Sequence, residues 1–427
     1  MKRRHHGSLT LDADEAPLSS LNAVGNPLTV EENMIKRSKI DYLRSNGSLL
    51  RFLDFTSPTL SSDATVSSHF DEIAEHLLRH TRIVCQVPAA KSVDDAEEEY
   101  KILELEFYLI KNEFHRDPYA HDHEEQRICG QWYFHRAPRR APFTASPTTK
   151  PRCGASLDRG YRGGTRKGLD ITIGTPLVTM PETLITSRYF APTSSISSTP
   201  PPPPTDPASS TTRGGILIRS LRRMSDMKVI SGPSLVVDEL LRASRASSIA
   251  ELVRDKWCDD ISAFGPTGLH QHAIKSAFLF LRHRPSAETD TAPIVYKSPR
   301  IGLDLSNPAT RCSSSDPRIL YVSRPYRYFL YPHLLTANGR GQTLLGVYQW
   351  YRAQTSGSEE TQAVAIDELA KLTGIQKLTI TKYLGDYRDA CAVGDVKAFV
   401  GPKGKGASAS PSQFLRMMGA IERFLAS

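Results

Sequence analysis

The chain has 427 residues, with 54 basic against 46 acidic side chains for a net charge of +8, 39% hydrophobic residues and 23% charged ones. These are globular values that allow a sizeable core, in two or three domains or in one domain with extensions, and the positive excess favours a polyanionic partner. Six cysteines at 85, 129, 153, 258, 312 and 391 form no CxxC pair, and the basic start MKRRHHG leads into no apolar leader. The reading is of reduced thiols in an intracellular protein, with secretion, mitochondrial import and membrane spans of about 20 apolar residues excluded.

Residues 1–65 are rich in Ser, Asn and Thr without sustained periodicity and are expected to be disordered. From Phe70, apolar residues recur at 70, 73, 74, 77 and 78, one helical face, with Ser68 and Asp71 spaced as a capping box. Thr81 to Val87 reads as a strand. After an acidic turn, Lys101 to Ile110 alternates strictly: Leu103, Leu105, Phe107 and Leu109 face a core, and Glu104, Glu106 and Tyr108 face the other way. An exposed sheet edge satisfies that pattern as well as a strand lining a cleft.

A polar, His-rich loop follows, and then Gly130 to Arg136 forms a second strand with Tyr133 and His135 opposite Trp132 and Phe134. Residues 137–160 are a Pro/Arg-rich insert. In Tyr161 to Gly174 a glycine-rich turn carrying Arg162, Arg166 and Lys167 runs into a strand, and its glycines would let the backbone approach phosphates. Residues 175–212, with Pro200 to Pro204, form a low-complexity insert. Gly214 to Leu221 resumes the sheet, and Ser231-Gly232-Pro233 opens a helix. Ser248 to Cys258 and Ala273 to Leu281 read as helices, 298–305 and 324–331 as strands.

In the tail, Ile366 to Tyr387 places Leu369, Ala370, Gly374, Leu378, Ile380 and Leu384 at the spacing of a helix-turn-helix. A helical hairpin packed on the main domain fits the same spacing. The expected architecture is α+β: a domain over 66–335, with a curved, mostly antiparallel sheet surrounded by helices and interrupted by the two inserts, then a helical region over 340–427.

Arg219 lies in an otherwise apolar strand, and a buried guanidinium must find an anion or hydrogen bonds. Glu104 and Glu106 are its candidates, and a structural salt bridge would satisfy all three. His115, His121, His123, Cys129, His135 and Cys153 crowd one region, yet their spacings match no zinc pattern, so no metal is expected. Gly163 and Gly168 have P-loop spacing, but Leu169 follows where a lysine is required.

The order of these pieces resembles the alkyladenine (methylpurine) DNA glycosylase family. Glu104-Leu105-Glu106-Phe107-Tyr108-Leu109, Asp117-Pro118-Tyr119-Ala120-His121, Gly130-Gln131-Trp132-Tyr133-Phe134-His135, Leu217-Ile218-Arg219, Ser231-Gly232-Pro233, Arg300-Ile301-Gly302 and Tyr326-Arg327-Tyr328-Phe329 follow one another as that family's motifs do, over residues 65–331. The resemblance implies excision of damaged, alkylated purines by hydrolysis of the N-glycosidic bond in base excision repair. Glu106 would be the general base, and Arg219 would help to hold the attacking water. Tyr108, His121 and His135 match the clamp on the flipped base, Tyr133 shares the face of His135, and Asp170 falls near the residue that tests the base edge.

His135 stands where the family usually has Tyr, and the basic segment around Arg162, Arg166 and Lys167 replaces an apolar wedge, which moves the expected DNA substrate towards single-stranded or distorted sites. No lysine sits at a matched catalytic position, so a monofunctional enzyme without a cofactor is expected. Lys2-Arg3-Arg4 adds a short nuclear address, with the cytoplasm as a second location, and no obligate protein partner is implied. A nucleic-acid-binding protein that keeps the fold but has lost turnover is the alternative.

Overall fold

In a computed structural model of the chain, the structure describes residues 49–87, 96–111, 114–120, 123–136, 167–176, 212–264, 277–284, 292–355 and 362–427. Helix α1 (Asp63–His80) starts five residues before the expected cap. Ser62 accepts from the Thr65 N–H, and the Thr65 hydroxyl returns the bond, so Ser68 and Asp71 lie inside the helix instead of capping it. Val66, Phe70, Ile73, Ala74, Leu77 and Leu78 are its buried stripe.

Residues 49–60 also differ from expectation: Leu49, Leu53, Phe55 and Leu60 are buried in the same core. They form an apolar patch too short to show periodicity, pinned by the Phe55 N–H on the Gly174 carbonyl at 2.9 Å.

Strand β1 (Thr81–Val87) pairs antiparallel with the long β2 (Ala96–Lys111), which also takes the short β3 (His115–Arg116). β4 (Trp132–Arg136), β5 (Lys167–Ile173) and β6 (Arg213–Arg223) follow, with β7 (Val229–Ser231) folding back on β6. Gly232, at φ +118, turns the chain into α2 (Pro233–Ala243), where Pro233 fits the first turn because no intrahelical N–H is needed there. The expected helix over 248–258 is a single turn, α3 (Ile249–Glu251), continued by a π turn over Leu252–Lys256.

The expected helix over 273–281 is corrected. Phe278–His283 is a strand, β8, paired with β1, and 273–276 lie outside the described residues. β9 (Tyr296–Ser298), α4 (Pro317–Ser323) and β10 (Arg327–Phe329) come next; β10 is shorter than the strand expected over 324–331, and the strand expected over 298–305 is corrected, because β9 ends at Ser298 and residues 299–305 run as turn and irregular chain. Beyond β10, Tyr331 takes a left-handed conformation and Pro332 lacks an N–H for the ladder.

The result is an α+β fold on an open sheet of order β4-β5-β6-β2-β1-β8, with β10 and β9 added beside β2, and every named strand pair antiparallel. One face of the sheet, with Leu105, Phe107, Leu109, Trp132, Phe134, Leu169, Ile171, Ile216 and Ile218, packs against α1 and α2. The other face near β9 and β10 is covered by helices α5 (Arg340–Gln354), α6 (Gln362–Thr373), α7 (Lys377–Val393) and α8 (Pro411–Ala426), over a second core containing Phe329, Leu344, Leu369, Ile380 and Phe414. Among the described residues no helix is long and apolar enough to cross a membrane.

His115, fully buried, lies 2.7 Å from Asp63 through Nδ1. Burial pushes its pKa down to about 4, and the Asp63 carboxylate only partly opposes that. A group depressed on folding stabilises the protein above its unfolded value near 6.5 and loses that contribution as pH falls towards 4. Stability in urea unfolding should therefore fall over that window by on the order of 3 kcal/mol, and by less in His115→Asn. A urea midpoint independent of pH between those limits would contradict this assignment.

Candidate functional site

The polar side of the sheet is organised by two compensating irregularities. In the β2–β6 ladder Ile102 faces Leu221, Glu104 faces Ser220 and Leu105 faces Ile218, so Leu103 and Arg219 each stand out of register. At a bulge two successive residues share a side of the sheet. Leu103 is therefore turned into the second core, a correction to its expected place beside Leu105, while Arg219 and Ser220 both reach the face that carries Glu104 and Glu106. Beyond the bulge the rows run true: Glu106, Leu217, Asp170 and Tyr133 are successive cross-strand neighbours over β2, β6, β5 and β4.

Glu104 faces two guanidiniums and a hydroxyl. Its Oε1 accepts from Arg327 Nε at 2.6 Å and lies 3.3 Å from Arg219 Nε, and its Oε2 accepts from the Ser220 hydroxyl at 2.5 Å. Burial alone would raise its pKa, but the two guanidiniums more than offset this and hold it below the ordinary carboxylate value. Arg327 is 0% exposed and also donates to the Ser298 and Thr343 hydroxyls, at 3.0 Å each. Because Thr343 belongs to α5, the carboxylate network and the C-terminal helices are one packed structure.

Glu106 is held more loosely. Its Oε2 lies 3.2 Å from Arg219 Nη1, and its Oε1 accepts the Ile301 N–H at 2.7 Å. Each oxygen keeps a second lone pair, which can accept a proton or hold a water. The side chain is 6% exposed, against 3% for Glu104.

Ile301 is presented by the chain after β9, where Arg300 is clamped on Asp117: Nη1 is 2.7 Å from Oδ2, and Nη2 donates to Oδ1 at 3.0 Å. Burial would lower the Arg300 pKa, but Asp117, with Glu106 adding to the field, raises it. The Asp-Pro and Arg-Ile-Gly pieces of the sequence thus meet beside Glu106.

A second cluster centres on Asp170, which is fully buried. Its Oδ2 accepts from the Tyr108 hydroxyl at 2.5 Å and lies 2.9 Å from His135 Nδ1; Gln126 Nε2 donates to the same Tyr108 oxygen. Burial would depress the His135 pKa, yet the Asp170 carboxylate outweighs it and holds the imidazole above its usual value. Asp170 Oδ1 is buried and takes no hydrogen bond from any described residue.

Two glycines make room for these rings. A Cβ at Gly215 would fall 2.4 Å from the Tyr108 hydroxyl, and one at Gly168 would fall 2.2 Å from His135 Cε1. Gly168, expected to let the backbone approach a phosphate, instead seats the imidazole. Gly168→Ala should push the ring off Asp170, and the His135 pKa read by NMR should fall back towards the free value of 6.5. An unchanged titration would show that Asp170 is not its cause.

The structure brings Glu106, Arg219, Tyr108, Tyr133, His135 and Asp170 onto one face. Tyr108 and Tyr133 are nearly fully buried, and of the expected clamp residues within view His135 keeps a side chain 16% exposed. His121, Arg162 and Arg166 lie outside the described residues, as does the side chain of Lys167, whose backbone begins β5 opposite Arg136. Among the described residues no three His, Cys, Asp or Glu side chains are grouped to hold a metal ion, and Cys85, Cys129, Cys258, Cys312 and Cys391 are free.

Sequence reasoning gave no role to Arg327, Ser220, Gln126 or the Arg300–Asp117 clamp. Arg300, Arg327 and Asp117 stand in the motif pieces that carry the resemblance, and Arg300 and Arg327 lie in otherwise apolar or aromatic stretches.

No protein-family model matches the chain, and no solved structure matches it. It is similar to an uncharacterized protein of Acanthamoeba polyphaga mimivirus, 27% identical over 236 residues, which span 54% of this chain and 76% of that relative.

Proposed function

We propose that the protein is a monofunctional DNA glycosylase that hydrolyses the N-glycosidic bond of damaged purines, in nuclear and cytoplasmic base excision repair. The observation that carries the reading is the convergence on Glu106 of pieces far apart in the sequence: Arg219, Ile301 and the Arg300–Asp117 clamp all meet at or beside one carboxylate with spare lone pairs.

In this reading the nucleotide is extruded from the stack, because a purine inside a duplex is out of reach of water and of the carboxylate. Water attacks C1′ as Glu106 takes its proton; the C1′–N bond breaks, and its electron pair leaves with the purine. An alkylated, cationic purine departs neutral and needs no further proton. Arg219 fixes the Glu106 oxygens and the water. Asp170 Oδ1 is the acceptor left for an N–H on the base edge, and His135 is the ring on which the base stacks.

The near-complete burial of Tyr108 and Tyr133 favours a second reading, a nucleic-acid-binding protein of the same fold without turnover. The test is release of free base, read by mass spectrometry, from oligonucleotides carrying alkylated, deaminated or etheno-purines, in single and double strands. Release of a modified purine leaving an intact abasic strand supports the glycosylase. Binding without release from any of them selects the second reading.

A further inference from the structure

The tail contains a feature that the Glu106 site does not use. Helices α6 and α7 are joined through Gly374, Ile375 and Gln376, with Gly374 at φ +68, a conformation that favours glycine. Leu369 on α6, Ile375 in the turn, and Ile380 and Leu384 on α7 are buried together in the second core, and α6 is bound across the turn by Lys377 Nζ on Asp367 at 2.7 Å. Leu378, expected among the inward positions, is instead 85% exposed.

The first two turns of α7 present Gln376, Lys377, Leu378, Thr381 and Lys382 to solvent. No acid lies on this stretch. The next ones along the helix are Asp386, buried and held by Arg416 at 2.6 Å, and Asp389. Lys382 has no acidic partner among the described residues.

We propose that α6 and α7 are a helix-turn-helix that docks the exposed start of α7 in the major groove of duplex DNA. The occupant follows from the chemistry of the face. Lysines reach phosphates, and Gln and Thr can pair with base edges or backbone oxygens. An exposed Leu offers the apolar contact that a thymine methyl accepts, and the positive end of the helix adds to the attraction. A three-residue turn with a left-handed glycine joins the two helices, as in motifs whose second helix enters the groove by its N-terminal residues. The inference does not rest on the glycosylase reading, since it concerns a different surface and a different contact with DNA.

The test is the double variant Leu378→Glu/Lys382→Glu in the full chain, both residues exposed so that folding is spared, with unchanged circular dichroism and melting as the control. Fluorescence anisotropy with a fluorescent 20-base-pair duplex should show affinity lower by about tenfold or more at near-physiological salt, with the salt dependence reduced by roughly 0.9 for each phosphate the variant leaves unneutralised. Affinity for a single strand of the same sequence should hardly change. Unaltered duplex affinity and salt slope would overturn the proposal, and so would an equal loss on single and double strands. Base release from single-stranded substrates should be unaffected by the variant, so failure of this surface and failure of the Glu106 site read out separately.

Discussion

Glu106→Gln is expected to reduce base release by about 10²–10⁴-fold, the contribution typical of a positioned general base, while substrate affinity stays within a few fold of the original. The amide keeps the length and can still accept the Ile301 N–H through its oxygen, but it cannot take a proton from water. Its NH₂ group must then sit against Arg219 Nη1, now 3.2 Å from Oε2, so two donors face each other and a modest stability loss accompanies the substitution. The two effects separate when melting, affinity and single-turnover rate are measured on one sample. Full activity in Glu106→Gln would make this carboxylate structural.

Glu104→Gln is expected to do the opposite, lowering stability by about 3–5 kcal/mol in urea unfolding, the cost of breaking a buried ion pair. The loss is large because Arg327 is completely buried and would keep its charge without a counter-ion; the Ser298 and Thr343 hydroxyls supply dipoles only. Arg219 would also lose one of its two carboxylates, which shifts the burden onto Glu106. Since Arg327 ties β10 to α5, the second core should loosen with it. A Glu104→Gln chain as stable as the original, together with a strongly destabilised Glu106→Gln, would exchange the two roles.

The alternation of Lys101 to Ile110 makes the central strand and its polar face legible, and the apolar run around Arg219 makes its need for a carboxylate legible. Which carboxylate faces two guanidiniums and which faces one is not legible there. That depends on the displaced Leu103 and Arg219 in the β2–β6 ladder, and a register shift leaves no mark in a single strand's periodicity. The same shift explains why Leu103 reads as a neighbour of Leu105.

Phe278 to Leu281 reads as helix because the segment is short and apolar, and only pairing with β1 makes it a strand. Gly168 reads as part of a phosphate-gripping turn because its neighbours are basic; the ring it accommodates arrives from β4, more than thirty residues earlier in the chain. Leu378 fits an inward spacing, and its exposure is a tertiary fact about how α7 rests on α8 and α5.

In the proposed reaction the C1′–N bond breaks beside the Glu106 carboxylate and leaves positive charge on C1′, and this central claim can be tested without knowing the lesion. An oligonucleotide in which one sugar is replaced by a pyrrolidine, cationic at the position of C1′, should bind at least about tenfold more tightly than the neutral tetrahydrofuran equivalent, as transition-state mimics do. That preference should shrink in Glu106→Gln. Equal affinity for the cationic and neutral sugars, unchanged by the substitution, would contradict the account.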